Sequence, residues 1–374
     1  MILRRPGLRF GLAWFRPGRG IFRPIAIVAI ALSASLLLPR PLAAEEENPE
    51  KTAAAMITAA AEEAIQRGLA YLASHQQQDG TLSSGGYRGN VAIVGLVGLA
   101  MMAGGNTPDR GPYGKEVAQA LDYVLAHTQE SGFVVGPPDS VSQGPMYGHG
   151  FATLFLAESY GMSPRPELRD KLARAVKLIV NTQNRDGGWR YRPERADADI
   201  SVTICQVMAL RAARNAGLHV PNETIDRSID YVKRSQNPDG GFMYTLQQPG
   251  SSRFARSAAG VVALYSAGVY QGPELSRGID YLMKFRPGGA ASDAEGGTEQ
   301  VRSFYFYGHY YAVQAMWHRG GDAWTQWFPA VRDEMLSLQQ EDGSWVSPVS
   351  YEYATAMACL VLQLPNNCLP IFQR

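Results

Sequence analysis

Gln183-Asn184-Arg185-Asp186-Gly187-Gly188-Trp189 reads as the end of one helix and the tight turn that follows it. Glycine reaches positive φ cheaply and aspartate can bond the turn backbone, so Asp-Gly stops a helix sharply. The same text recurs as Gln76-Gln77-Gln78-Asp79-Gly80, Gln236-Asn237-Pro238-Asp239-Gly240-Gly241-Phe242 and Gln339-Gln340-Glu341-Asp342-Gly343-Ser344-Trp345. Degenerate copies stand at Gln129-Glu130-Ser131-Gly132-Phe133 and Phe285-Arg286-Pro287-Gly288. The turn glycines Gly80, Gly132, Gly187, Gly240, Gly288 and Gly343 are therefore 48 to 55 residues apart. A period near fifty with one sharp turn per copy predicts an array of six like supersecondary units.

Apolar residues fall at helical spacing on both sides of each turn, which predicts two helices per unit and twelve in all. The first is amphipathic, with Ala175, Leu178 and Ile179, or Ile229, Tyr231 and Val232, opposite a charged face, and suits an outer ring. The second is apolar nearly all round: Val91 to Ala103, Phe151 to Ala157, Val202 to Leu210, Ala258 to Ala267, Tyr305 to Trp317 and Ala354 to Leu362. Such helices need burial on every side, so they form an inner ring. Many are expected to end at Gly104, Gly161, Gly217, Gly268 or Gly320. An open solenoid would need polar capping units. The first and last units lack them, which favours a closed, all-α toroid of six hairpins, an (α/α)6 barrel without sheet beyond short turn strands.

The repeated turn resembles the QW repeat of squalene cyclases and prenyltransferases, the terpenoid-cyclase toroid family: a basic residue, a small one, spaced apolar residues, Gln, and Gly ahead of an aromatic. Arg174-Ala175, Leu178, Gln183, Gly187 and Trp189 follow it, as do Arg227-Ser228, Tyr231, Gln236, Gly240 and Phe242. Arg67-Gly68, Tyr71, Leu72 and Gln76 begin a third copy. The resemblance implies one (α/α)6 toroid spanning residues 45–374. It fixes chemistry far less, because unrelated functions share a fold. Complement-type proteins use this barrel to carry a thioester, but no Cys-Gly-Glu-Gln occurs here. Protein prenyltransferases hold zinc with an Asp two residues before a Cys and a distant His. Here Thr203, Met357 and Asn366 stand at that position, so no metal and no cofactor is expected.

Squalene-type cyclases start a cation cascade with Asp-x-Asp-Asp ahead of an inner helix, one carboxylic acid staying protonated to donate to an alkene. Asp197-Ala198-Asp199-Ile200 sits where that motif would sit, with Ile200 in place of the last Asp. The resemblance makes Asp199 the candidate general acid with Asp197 beside it. The local pattern makes Asp199 an N-cap of the following helix.

Residues just after each turn and at inner-helix starts should gather at one mouth of the barrel. They are polar and aromatic: Asn90, Tyr147, His149, Trp189, Tyr191, Arg253, Arg256, Phe304, Tyr305, Tyr307, His309, Tyr351 and Glu352. Tyr147, His149, Trp189, Tyr191, Arg256, Tyr307 and His309 are the candidate ligand-binding residues, since such rings present an apolar body with a polar tip. His149 and His309 occupy similar places in two units and can equally satisfy backbone groups. Arg256 can clamp an anion or pair with Asp199 or Glu352.

Residues 1–44 read as a cleaved signal peptide. An acid-free, Arg-rich start leads into an apolar run from Ile25 to Leu38, too short to span a bilayer comfortably, with Ala43-Ala44 before Glu45. A general secretory route is preferred over a twin-arginine one. Removing Arg4, Arg5, Arg9, Arg16, Arg19, Arg23 and Arg40 turns the whole-chain charge of +1 into −6, which argues against nucleic acid as a partner. Cys205, Cys359 and Cys368 make no disulfide framework. The reading that results is a secreted or periplasmic toroid that holds a small apolar or peptide-like ligand in its central cavity, with catalysis not evident and no membrane span after signal removal. An isoprenoid cyclase with Asp199 as acid and a structural or interaction module of the cell envelope are the alternatives.

Overall fold

In the computed structural model, described over residues 53–82, 85–140, 144–289 and 304–373, the described residues hold twelve α-helices and no β-strand. They run α1 (Ala59–His75), α2 (Val91–Ala103), α3 (Gly114–Ala126), α4 (Pro145–Ser159), α5 (Leu168–Thr182), α6 (Ile200–Asn215), α7 (Asn222–Arg234), α8 (Phe254–Ser266), α9 (Pro273–Met283), α10 (Tyr305–Arg319), α11 (Gly321–Leu338) and α12 (Tyr351–Leu362). Even-numbered helices are buried almost all round, whereas odd-numbered ones bury one face, as the patterning predicts. Each even helix packs on the next, from α2 through α4, α6, α8 and α10 to α12, and α12 packs back on α2. The ring is closed.

The turns supply the mechanism of closure. Gln183 Nε2 donates both to Gly187 O of its own turn (2.9 Å) and to Thr224 O at the start of the next outer helix (2.8 Å). Gln236 bonds Gly240 O and Glu274 O in the same way, and Gln76 bonds Gly80 O and Glu116 O. Gln339 in the last turn reaches Gly343 O and Ala64 O of the first helix, so the clasp that joins neighbours also joins the ends. Gly187 and Gly343 must be glycine twice over. Their φ values are 99° and 90°, and a Cβ would overlap the carbonyls of Arg227 and Arg67 on the neighbouring outer helices. Trp189 and Trp345 fill the space behind, donating Nε1–H to Ile179 O and Met335 O, both at 2.8 Å.

Single antiparallel bridges cross three turns, Gln76 to Leu82, Thr128 to Val134 and Gln236 to Phe242. Two details differ from the sequence expectation. Inner helices α4, α6, α8 and α12 begin two to six residues before the apolar runs, because their first turns mix buried residues such as Met146, Ile200 and Phe254 with polar and aromatic ones such as Tyr147, Arg256 and Tyr353. After α2 the left-handed position is Gly105 (φ 86°), with Gly104 at φ −82°. Cys205, Cys359 and Cys368 are free thiols, the first two in the core. No helix among the described residues is long and apolar enough to cross a membrane. The signal peptide expected over residues 1–44 lies outside the described residues.

Candidate functional site

All six inner helices run the same way, so their N-terminal turns meet at one end around a cavity of about 650 Å³. Its floor is apolar, from Ala92, Ile93 and Leu96 on α2 and Phe151 on α4. Six tyrosines, Tyr87, Tyr147, Tyr191, Tyr244, Tyr307 and Tyr353, ring the wall, with Arg253 at the N-cap of α8 and Arg256 on its first turn. No carboxylate lines it among the described residues. Burial raises the hydroxyls of Tyr147, Tyr244 and Tyr307 far above ordinary phenol values, so they act as neutral hydrogen-bonding tips. A space of this size and make-up suits a drug-sized or chain-like apolar ligand.

Of the candidate ligand-binding residues, Tyr147, Tyr191, Arg256 and Tyr307 share this cavity. Trp189, His149 and His309 do not line it. Trp189 is buried between hairpins, its backbone N–H on Thr203 Oγ1 at 3.1 Å. Ser257 and Thr355 accept the corresponding N–H of Phe242 and Trp345. His149 takes that part in the second unit: Nδ1 accepts from Val134 N (3.1 Å), which leaves Nε2 to donate to Ala175 O (3.3 Å). Burial pushes its pKa down to about 4, so it stays neutral. His309 is packed among Phe254, Tyr305 and Trp327, and burial pushes it down to about 3.

Asp199 is fully buried at the N-cap of α6, where Oδ1 accepts from Val202 N at 2.8 Å. Its other oxygen faces Arg190 Nε at 3.7 Å and accepts from Tyr244 OH at 3.5 Å. Burial raises the carboxyl to about 6, against the lowering pull of the Val202 N–H and of Arg190. The cap geometry is as the sequence pattern predicts, and the carboxyl sits behind the wall: Tyr244, itself hydrogen-bonded to Tyr191 OH, stands toward the cavity. Asp197 is half exposed and paired with Arg190 Nη1 at 2.6 Å. Ile200 is buried in the core. Arg190 also lies over the rings of Tyr191 and Tyr244, at 4.8 and 5.4 Å, so it stiffens this side of the mouth.

Tyr244, Tyr87 and Tyr353 were not among the candidates from sequence. Tyr244 had a signal that could have found it, since it follows Gly240 by the same offset at which Tyr191 follows Gly187.

Residues 152–315 match the family model of the squalene-hopene cyclase C-terminal domain. The chain is 27% identical over 187 residues to a drimenyl diphosphate synthase from Streptomyces showdoensis, a match covering 50% of this chain and 33% of that one. It is also 27% identical over 128 residues to protostadienol synthase A from Arthroderma gypseum, covering 32% of this chain and 17% of the relative. The matched stretches thus span a third or less of these curated relatives. Among solved structures, the type II terpene cyclase MstE from Scytonema, in complex with its product merosterolic acid A, superposes with a TM-score of 0.54 at 14% identity, covering 83% of this chain and 98% of that one. An inactive variant of the α-1,6-mannanase of Salegentibacter, in complex with α-1,6-mannotetrose, gives 0.60 at 9% identity over 82% and 99%. Two toroids that take such different molecules agree on the fold and leave the chemistry to the residues in the hole.

Proposed function

We propose that this chain, a single-toroid member of the squalene-cyclase-like prenyltransferase family, holds an apolar, isoprenoid-type ligand in the cavity at the N-terminal ends of its inner helices. The observation that carries the reading is the cavity wall itself, with an aliphatic and aromatic floor beneath a ring of neutral phenol tips. Apolar area removed from water supplies affinity, and the hydroxyls orient whatever part of the ligand is polar. A peptide fits less well, because its backbone would need many more hydrogen-bonding partners than this wall offers. Terpenoid substrate and product complexes of the neighbour MstE support the reading by analogy of shape. Extraction of the mature protein from its native cells, followed by mass spectrometry, should find a stoichiometric isoprenoid. A polar saccharide or peptide in its place would end the proposal.

Export belongs to the same proposal, supported by the Arg-rich, acid-free start and the short apolar run. The mature chain should begin near Glu45 and be recovered outside the cytoplasm, and an intact N-terminus in the cytoplasmic fraction would count against it.

Cyclisation is the second reading, and what favours it is the carboxyl of Asp199, held near pKa 6 one tyrosine away from the cavity. Against it, that carboxyl is committed to capping α6, and a donor must reach the atom it protonates. Asp199→Asn separates the two readings. A parent that cyclises a polyprenyl substrate and a folded variant that does not would make this an enzyme.

A further inference from the structure

The tail that closes the far end of the barrel is lightly tied down and rests on a buried acid. Beyond α12 the chain turns through Asn367, at φ 52°, and lays residues 368–373 across the ends of α4 and α10 and against α6. Leu369, Ile371 and Phe372 are buried there, and the Phe372 ring meets Tyr310 edge-on at 6.4 Å. Among the described residues two hydrogen bonds join this stretch to the barrel. Trp317 Nε1 donates to Phe372 O at 2.9 Å, and Ile371 N donates to Glu158 Oε2 at 3.3 Å. Its other bonds, such as Phe372 N to Leu369 O and Gln373 N to Pro370 O, stay within the tail itself.

Glu158 is 3% exposed on the last turn of α4, and among the described residues no cation lies within ion-pair distance of it. The groups that face it are neutral. From α10 comes the Tyr310 phenol, whose proton burial holds in place, and from α2 comes Met102, which takes the hydroxyl of Ser159. Charges on the last turns of the neighbouring helices point elsewhere: Arg211 to Tyr265 O and Tyr270 OH, Arg214 to Val220 O and Asn222, His318 to the Tyr265 ring, and Arg319 into a separate groove beside Asp280. The tail adds only the thiol of Cys368.

A carboxylate sealed from water at the negative end of a helix, with no cation beside it, is costly to ionise. We propose that residues 368–373 are a pH-responsive stopper, latched while Glu158 is protonated and released from the end of the barrel when Glu158 ionises. Closed, the tail seals the carboxyl, and burial raises it from 4.5 to about 7. Open, water reaches it and it titrates as an ordinary carboxyl. The closed state therefore holds the proton more tightly than the open one. Below pH 4.5 both states carry it and the latch is at full strength, opening grows more frequent as pH rises through 7, and beyond that it levels off. Asn367 is the hinge, since it already stands in the left-handed region at the head of the tail. Opening bares Tyr310 and Trp317 and gives the toroid a second mouth, whatever molecule the cavity at the other end holds.

Hydrogen exchange read by mass spectrometry on the purified protein tests this, with rates corrected for the intrinsic pH dependence of exchange. Peptides covering residues 364–373 should open about tenfold or more often at pH 8 than at pH 5. At pH 8 they should also open about tenfold or more often than peptides around Gly187 and Trp189 in the clasp, because the tail leaves without the barrel unfolding. Glu158→Gln, which stays neutral at every pH, should open equally often at both. Phe372→Ala loosens the stopper through packing alone, so it should raise opening at both pH values and keep the slope. Equal opening of the parent at pH 5 and pH 8, or a slope that survives Glu158→Gln, overturns the latch. A tail that opens no more often than the clasp overturns it too, since the acid then acts on the barrel as a whole. Those comparisons within the parent decide the matter even where a variant fails to fold.

Discussion

The two ends of the inner ring are built from the same six helices and finished in opposite ways. At the C-terminal ends the last residues of the chain are packed against them. Gln363 Nε2 donates to Ala100 O (2.9 Å), Trp317 Nε1 donates to Phe372 O (2.9 Å), and Leu364, Leu369, Ile371 and Phe372 are buried. At the N-terminal ends the described residues leave a hollow, with Ile93, Leu96 and Phe151 lining a cavity. Filling the second end as the first is filled would bury more apolar surface, so the hollow is a place where stability has been forgone. The filled end and the turns carry the fold, and the hollow end is free to carry a ligand.

Substitutions at the turns should have the largest effect. Trp345 is fully buried in the clasp that closes the ring, so Trp345→Ala should cost roughly 3 to 5 kcal/mol in denaturant unfolding. A loss within about 0.5 kcal/mol, as for an uninvolved surface residue, would break the contrast. The filled end holds a second, pH-dependent effect. Glu158 Oε2 accepts from Ile371 N at 3.3 Å, and burial raises its carboxyl from 4.5 to about 7. The folded state therefore holds this proton more tightly than the unfolded chain does. Below pH 4.5 there is no penalty, stability falls as pH rises through that window, and above pH 7 the loss of about 3 kcal/mol is complete. Glu158→Gln keeps a carbonyl for Ile371 and should flatten that slope, which a melting series from pH 4 to 8 will read.

At the hollow end the effects on stability should be small. Asp199→Ala removes the α6 cap and should cost about 1 kcal/mol, while Asp199→Asn, which caps about as well, should cost less than that. A loss for Asn as large as that for Ala would mean that the charge toward Arg190, rather than the cap, holds this side of the mouth. Tyr147→Phe should leave the melting temperature within a degree or two, because the residue lines the cavity and takes no part in the clasp.

The filled and hollow ends also differ in how far the sequence revealed them. The clasp was legible because four of the six turns use the same Gln to reach a neighbour and five use the same glycine to let a carbonyl approach, so the chemistry repeats with the period. The gathering of inner-helix starts at one mouth followed from that repeat. Packing of Leu364 to Phe372 across the far end occurs once and has no repeat to announce it. Replacement of a hydroxyl by His149 hid a backbone acceptor inside a residue type that suggests chemistry. The depth of Asp199 was equally hidden, since a cap and an acid share one position and only the placement of Tyr244 in front of it distinguishes wall from interior.

The account stands on the hollow being a ligand site, and filling it is the most direct test. Ala92 lines the cavity on α2, and Ala92→Trp should occupy much of the floor without touching the turns. Calorimetric titration with geranylgeraniol should show one site per chain in the parent and none in a variant that melts at the same temperature. Equal binding to both proteins would put the ligand elsewhere and contradict the account.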